Sequence, residues 1–122
     1  MKRILVLSLF LVGLSVSSYA QDWQTNFEKA KEIATKESKN IVLVFQGSDW
    51  CAPCIRLDRE IWSTTTFKEL SKDYFVMLKA DFPRKKRNKL NDELQSQNNL
   101  LAEKYNSKGY FPFVVVLDSK GQ

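Results

Sequence analysis

Three apolar runs, separated by segments of helical character, most constrain what this chain can fold into. They are residues 41–45, residues 74–80 and Phe113–Leu117. Each run is short, rich in β-branched and aromatic residues and low in charge, which is typical of strands buried on both faces. We therefore predict three strands in a sheet that is shielded from water.

The segments before and between these runs carry helical patterns. They predict helices over residues 26–37, 52–62 and 90–105, with a short extra helix that restarts at Thr66. Residues 25–28 and 66–69 have the capping-box form, a hydroxyl followed three positions later by a carboxylate. The alternation of helix and strand predicts an α/β domain with a central sheet flanked by helices.

The first twenty residues have the layout of a secretory signal peptide. Lys2 and Arg3 form a basic head, residues 4–16 are almost wholly apolar, and small residues precede a cut after Ala20. A retained anchor is the alternative, but a membrane-spanning helix needs about 20 apolar residues and this run is shorter. We expect residues 1–20 to be removed, residues 21–122 to form one domain, and the mature protein to be periplasmic or secreted, without stable membrane insertion.

The charge of the chain gives little indication of a polyanionic partner. Removal of Lys2 and Arg3 lowers the net charge from +5 to +3, which provides no general argument for nucleic acid or for an anionic membrane. The densest basic cluster, residues 84–89, is interpreted as a solvated loop, with steering of an acidic partner as the alternative. Export also implies an oxidising compartment, in which two cysteines can persist as a disulfide.

The last residues carry the signature of a hairpin turn, Asp118-Ser119-Lys120-Gly121. A hairpin needs a second strand, and only Gln122 follows. Without that partner the third predicted strand would leave an apolar edge open. We therefore expect the domain to be C-terminally incomplete.

Both cysteines of the chain lie in one stretch, Trp50-Cys51-Ala52-Pro53-Cys54. A structural zinc site needs four ligands, and the chain offers two cysteines and no histidine. Attachment of a c-type haem needs a histidine directly after the second cysteine, where Ile55 stands. A purely structural disulfide stays open as an alternative, although a ring of four residues constrains little of the unfolded chain.

A redox pair is the interpretation that these residues favour. Cys51 lies between a predicted strand and a predicted helix, where the free N–H groups and the helix dipole favour a thiolate. We expect Cys51 to be exposed and to attack, and Cys54, one turn further, to be shielded and to resolve the exchange. Pro53 suits the first turn of a helix, and Trp50 offers a rigid apolar surface beside the attacking sulfur.

The stretch resembles the active site of the thioredoxin superfamily, whose hallmark is W-C-x-P-C, and residues 45–49 resemble its exported bacterial branch. The resemblance covers most of residues 21–122. It implies a thioredoxin-like fold, an α/β fold with a central mixed sheet flanked by helices, here lacking the final strand and helix. It also matches Pro112, after Phe111, to the cis-proline that faces the cysteine pair and helps to hold the substrate.

One departure from the family concerns a buried acidic residue in the strand before the motif, which is implicated in proton transfer to the resolving thiol. Val44 or Phe45 occupies that position, and neither can move a proton. The nearest carboxylate is Asp49, which we expect to be exposed in the loop. A water-mediated route or a slower resolving step is therefore expected.

Together these features predict an exported thiol–disulfide oxidoreductase. Cys51 and Cys54 are the expected catalytic pair, and the expected substrate-binding residues are Trp50, Pro53, Phe111 and Pro112. We expect a monomer that exchanges disulfides with protein substrates and with an electron-transfer partner, and that needs no metal and no cofactor beyond the cysteine pair. A binding or chaperone-like module of the same fold, with a structural disulfide, is the alternative; the direction of electron flow is not set by the motif.

Overall fold

The computed structural model describes residues 22–122, so the predicted signal peptide at residues 1–20 lies outside the described part. Its helices and strands are α1 (Phe27–Glu37), β1 (Asn40–Gln46), α2 (Ala52–Leu57), α3 (Thr65–Tyr74), β2 (Phe75–Asp81), α4 (Asp92–Tyr105) and β3 (Phe113–Leu117). A π-helical turn, Asp58–Trp62, continues α2, and a 3-10 turn, Lys86–Asn88, precedes α4. The predicted order of helices and strands is confirmed. Between residues 22 and 122, no helix has the length and apolar character needed to cross a membrane.

The three strands of the described chain form one mixed sheet in the order β2-β1-β3. The pairing of β1 with β2 is parallel, from Asn40 opposite Phe75 to Gln46 opposite Asp81. The pairing of β1 with β3 is antiparallel. Parallel neighbours need a long crossover connection, and α2, the π-helical turn and α3 supply it. The predicted α/β fold with a central mixed sheet is thereby confirmed.

Each face of β1 packs into its own core, as its uninterrupted apolar sequence predicts. On one face, Ile41, Leu43 and Phe45 pack with residues of α1, α4 and β2. On the other face, Val42 and Val44 pack with Trp62 of the π-helical turn and with Met77 of β2. The central strand is therefore the most buried element of the sheet.

The prediction that every strand is shielded from water is wrong for β3. Val114 is 40% exposed and Val116 is 59% exposed. They lie opposite Val44 and Val42 of β1, so all four side chains share one face of the sheet. Trp62 and its neighbours cover the β1 half of this face, whereas within residues 22–122 the β3 half stays open.

The two predicted capping boxes are also wrong, although the helices that they mark exist. The cap of α1 is Asn26 rather than Thr25, because the Asn26 side chain accepts the N–H three residues later at 2.8 Å. The cap of α3 is Thr64 rather than Thr66. Its hydroxyl accepts the N–H of the third helical residue at 3.3 Å and donates to a carbonyl of the preceding π-helical turn at 2.7 Å.

The predicted turn after β3 is present. The Asp118 carboxylate accepts the N–H groups of Lys120 and Gln122, at 2.8 and 3.0 Å. Gly121 adopts a φ of +84°, a left-handed conformation that glycine tolerates best.

Candidate active site

Three loops meet at one edge of the sheet because of the strand directions. The parallel strands β1 and β2 both end there, at Gln46 and Asp81. The antiparallel strand β3 begins there, at Phe113. The loops that follow β1 and β2 and the loop that precedes β3 are therefore neighbours, which is where α/β sheets usually place their functional residues.

The two cysteines lie at the start of α2 and are joined by a disulfide. Cys51 is the N-cap of α2, and its sulfur accepts the N–H of Cys54 at 3.3 Å. Pro53 lies in the first turn, where no intrahelical N–H bond is lost. A sulfur that receives an N–H bond at a helix start is better able to carry negative charge.

The expected contrast in exposure between the two cysteines is not found. Cys51 and Cys54 are each only 4% exposed. In the disulfide form the Cys51 sulfur is turned toward the first turn of α2, where it is bonded to Cys54 and accepts the Cys54 N–H. The prediction of an exposed attacking sulfur is therefore wrong for this oxidised state.

Trp50 is held by polar and apolar contacts from all three loops. Its indole N–H donates to the carbonyl of Phe82 at 2.7 Å, and its ring meets the ring of Phe111 edge-on at 5.4 Å. The guanidinium carbon of Arg84 lies 3.7 Å from the centre of the ring. Gly47 lies against the same indole, so closely that an added Cβ would come within 2.2 Å of Trp50 Cε2.

The loop before β3 brings Phe111 and Pro112 to the same edge of the sheet. The peptide bond between them is cis, as the resemblance implied. The ring of Phe111 meets the rings of Trp50 and Phe82, both with centroids 5.4 Å away. Asn106 is 4% exposed and exchanges two hydrogen bonds with the backbone of Tyr110, which fixes the course of this loop.

Asp49 lies in the loop after β1 but is half-buried rather than exposed as predicted. It accepts the N–H groups of Arg84 and Lys85 and the side-chain amide of Asn88, each at 3.0 Å. These bonds, led by the Arg84 N–H, lower the pKa of Asp49 from 3.8 to about 2. Such a carboxylate is a poor proton acceptor near neutral pH, so Asp49 is poorly suited to replace the family's buried acid. A water-mediated route or a slower resolving step stays the prediction.

A second aspartate, at the end of β2, bonds the loop after β1 in return. Asp81, the last residue of β2, accepts the backbone N–H and the hydroxyl of Ser48, at 2.9 and 2.6 Å. Val44 and Phe45, at the place of the family's buried acid, are 1% and 0% exposed and pack on opposite faces of β1.

Sequence reasoning missed four residues that shape these loops, namely Gly47, Asp49 as a loop contact, Asp81 and Asn106. The only local signal for them is that the first three lie at the ends of β1 and β2 or within three residues after them, where functional loops are expected. Within residues 22–122, no group of three or more His, Cys, Asp or Glu side chains is arranged to hold a metal ion.

A cysteine pair at the start of the helix after a central strand, with a cis-proline loop at the same sheet edge, defines a thioredoxin-like protein. The chain belongs to the thioredoxin-like family, whose family model matches residues 22–119. Among characterised relatives, it is 33% identical over 100 residues to the disulfide bond reductase DsbH of Chlamydia pneumoniae. That match covers 82% of this chain and 58% of DsbH, so the chain spans a little over half of the length of this relative.

More distant similarity extends to the thioredoxin-related protein DsbJ of the same organism, 22% identical over 91 residues, which cover 67% of this chain and 26% of DsbJ. Two solved structures share the fold. A DsbH oxidoreductase superposes with a TM-score of 0.75 at 32% identity, covering 83% of this chain and 67% of the other. A disulphide isomerase from Xylella fastidiosa Temecula1 superposes with a TM-score of 0.59 at 25% identity, covering 78% and 65%.

Proposed function

We propose that this protein is a thiol–disulfide oxidoreductase that acts on protein substrates through Cys51 and Cys54. The observation that carries the proposal is the position of Cys51, which caps α2, accepts the Cys54 N–H at 3.3 Å and is joined to Cys54. The reducing direction is favoured because the DsbH relative is named a disulfide bond reductase.

The exchange runs through a mixed disulfide. The Cys51 thiolate attacks one sulfur of a substrate disulfide, and the other substrate sulfur leaves and takes up a proton. The Cys54 thiolate then attacks the Cys51 sulfur, which forms the Cys51–Cys54 disulfide and releases the second substrate sulfur as a thiol. The substrate gains two electrons, and an electron-transfer partner must return the protein to its dithiol form. The pair itself stores both electrons, so no further cofactor enters the scheme.

We also propose roles for the other residues at the site. Trp50, Phe111 and Pro112 supply an apolar surface beside the disulfide for the substrate chain, and Pro53 shapes the first turn that presents Cys51. We assign residues 1–20 to a signal peptide cut after Ala20, which places the mature domain, residues 21–122, in the periplasm or outside the cell. We propose that it works there as a monomer.

A second candidate function is a thioredoxin-like binding module whose disulfide is structural. The low exposure of Cys51, 4%, favours this alternative, because an attacking sulfur must be reached by its substrate. The two functions differ in the reactivity of the reduced thiols.

The test is to express the whole chain with Cys54→Ser in an exporting host and to isolate mixed disulfides. Without Cys54 the mixed disulfide on Cys51 cannot be resolved, so captured substrate proteins are expected to accumulate. The matched control is Cys51→Ser, which keeps one thiol but loses the attacking one, and it is expected to capture at least tenfold less. Alkylation of the reduced protein near pH 6 should modify Cys51 before Cys54. An absence of capture together with two inert thiols would establish the binding module instead.

A further inference from the structure

Five cations lie within six residues on one loop that contacts Asp49 and Trp50, just before Cys51. This basic loop, residues 84–89, consists of Arg84, Lys85, Lys86, Arg87, Asn88 and Lys89, and all six are exposed. The ion pairs of residues 22–122 use other lysines and arginines. The positive charge of the basic loop is therefore available to a partner.

The basic loop is fixed in place relative to the redox pair. Asp49, two positions before Cys51, accepts three hydrogen bonds from it, and residues 86–88 are wound into a 3-10 turn. Arg84 lies over the ring of Trp50, the residue that directly precedes Cys51. A charged surface that is already ordered loses little conformational entropy when a partner binds.

The carboxylates at this edge of the sheet do not cancel the charge. Asp81 accepts hydrogen bonds from Ser48 and from the N–H of Phe82, which are neutral donors, so its carboxylate offsets one positive charge. Asp49 offsets a second positive charge, and its lowered pKa keeps it ionised near neutral pH. Asp92 and Glu93, in the first turn of α4 just after the basic loop, bring the nearby carboxylates to four against five cations. The basic loop therefore keeps a net positive charge next to the site where a substrate disulfide must dock, and such fields steer oppositely charged partners.

We propose that the basic loop is an interaction surface for an acidic polypeptide segment that flanks the disulfide of a protein substrate. The inference rests on the proposed oxidoreductase function, since it names the substrate class of that same site. An acidic segment would contact exposed lysines and arginines while its disulfide reaches Cys51. Complementary charges of this kind raise the rate of encounter more than the strength of binding.

The test is a single-turnover reaction between the pre-reduced chain and two synthetic disulfide peptides that differ only in their flanking residues, glutamate in one and glutamine in the other. In each turnover Cys51 and Cys54 lose two electrons and two protons as their disulfide forms, and the peptide disulfide takes them up. The wild-type protein is expected to react about three- to tenfold faster with the glutamate peptide at low salt. Added salt should remove this preference.

Two double variants locate the source of the preference. Lys86→Gln/Arg87→Gln removes two charges of the basic loop and should bring the two rates to within about twofold of each other. Lys36→Gln/Lys72→Gln is the matched control, because these lysines lie in the last turns of α1 and α3, at the opposite edge of the sheet. The control should keep the full preference.

The outcomes separate this inference from the function on which it rests. Equal rates with both peptides would overturn the acidic-segment proposal while the oxidoreductase function stands. A preference that survives in Lys86→Gln/Arg87→Gln would also overturn it, as would binding of the basic loop to anionic phosphatidylglycerol vesicles without any peptide preference. Failure to react with either peptide would overturn the proposed function itself.

Discussion

At the scale of single residues, two aspartates hold the site together, one at the end of β2 and one on the loop after β1. Asp81 receives the N–H and hydroxyl of Ser48 from the loop after β1, and Asp49 on that loop receives the N–H groups of Arg84 and Lys85 from the loop after β2. Hydrogen bonds to ionised acceptors are stronger than those to neutral ones. The loop that carries Cys51 and the basic loop are therefore fixed to each other.

The contribution of Asp49 to stability should depend on pH. Its pKa is lowered to about 2 in the folded protein from an ordinary value of 3.8. A lowered folded pKa stabilises the fold fully above the unfolded pKa, and this contribution is lost as the pH falls through the folded value. The difference in Tm between wild type and Asp49→Asn should therefore be constant from about pH 7 to 5 and shrink from about pH 4 to 2. A difference that persists at pH 2 would show that the negative charge is not what holds the basic loop.

At the scale of the elements, the connection between β1 and β2 is built from successive helical pieces that place Trp62 over the sheet. The π-helical turn sets Trp62 against Val42, Val44 and Met77, with the ring of Phe67 from α3 at 4.8 Å. π-helical turns inside helices are rare and commonly lie near functional sites. Here the turn follows directly on the helix that Cys51 caps, so the same segment presents the redox pair and closes the second core.

The cap of α3 gives a prediction with a matched control two positions further along the chain. Thr64→Ala removes the side chain that caps α3 and should destabilise the protein by about 1 kcal/mol. Thr66→Ala changes an exposed position inside the first turn, where alanine is the better helix former, and should be neutral or slightly stabilising. Urea unfolding of both variants measures the difference. Equal destabilisation by the two substitutions would be inconsistent with a cap at Thr64.

The extent to which the sequence predicts these elements follows from the range of the interactions that fix them. Residues 41–45 and Phe113–Leu117 were placed within one residue of the observed strands, because a run of apolar side chains is a local signal. The cap of α3 was misplaced because three adjacent threonines offer the same hydroxyl. The partners of Asp49 lie 35 and 36 positions along the chain, which no local pattern reveals.

The exposure of side chains was the least predictable feature. Whether Val116 meets water depends on which helices cover that half of the sheet, and whether Cys51 is exposed depends on its bond to Cys54. Both depend on tertiary contacts, which the local sequence around either residue does not determine.

At the scale of the whole molecule, we expect most of the stability to come from the two cores on either side of the sheet rather than from the disulfide. The ring closed by Cys51 and Cys54 spans three positions of the sequence and lies at one edge of the sheet. In the chain-entropy model so short a ring stabilises the folded state by only about 2 kcal/mol. Because the Cys51–Cys54 disulfide contributes little of the stability, it can be reduced and reformed while the rest of the domain stays folded.

Reduction of the disulfide should therefore lower the free energy of unfolding by about 2 kcal/mol and leave the domain folded. Urea unfolding with and without dithiothreitol gives the free energy, and near-ultraviolet circular dichroism reports the packing of Trp62 against Trp23, whose ring centroids are 6.1 Å apart. The double variant Cys51→Ser/Cys54→Ser is the control, because its free energy of unfolding should be the same with and without dithiothreitol. If the disulfide were structural, reduction would unfold the chain or remove most of its stability. A small loss would instead leave the redox cycle as the reason for the pair, since the two buried cores on either face of β1 suffice to hold the fold.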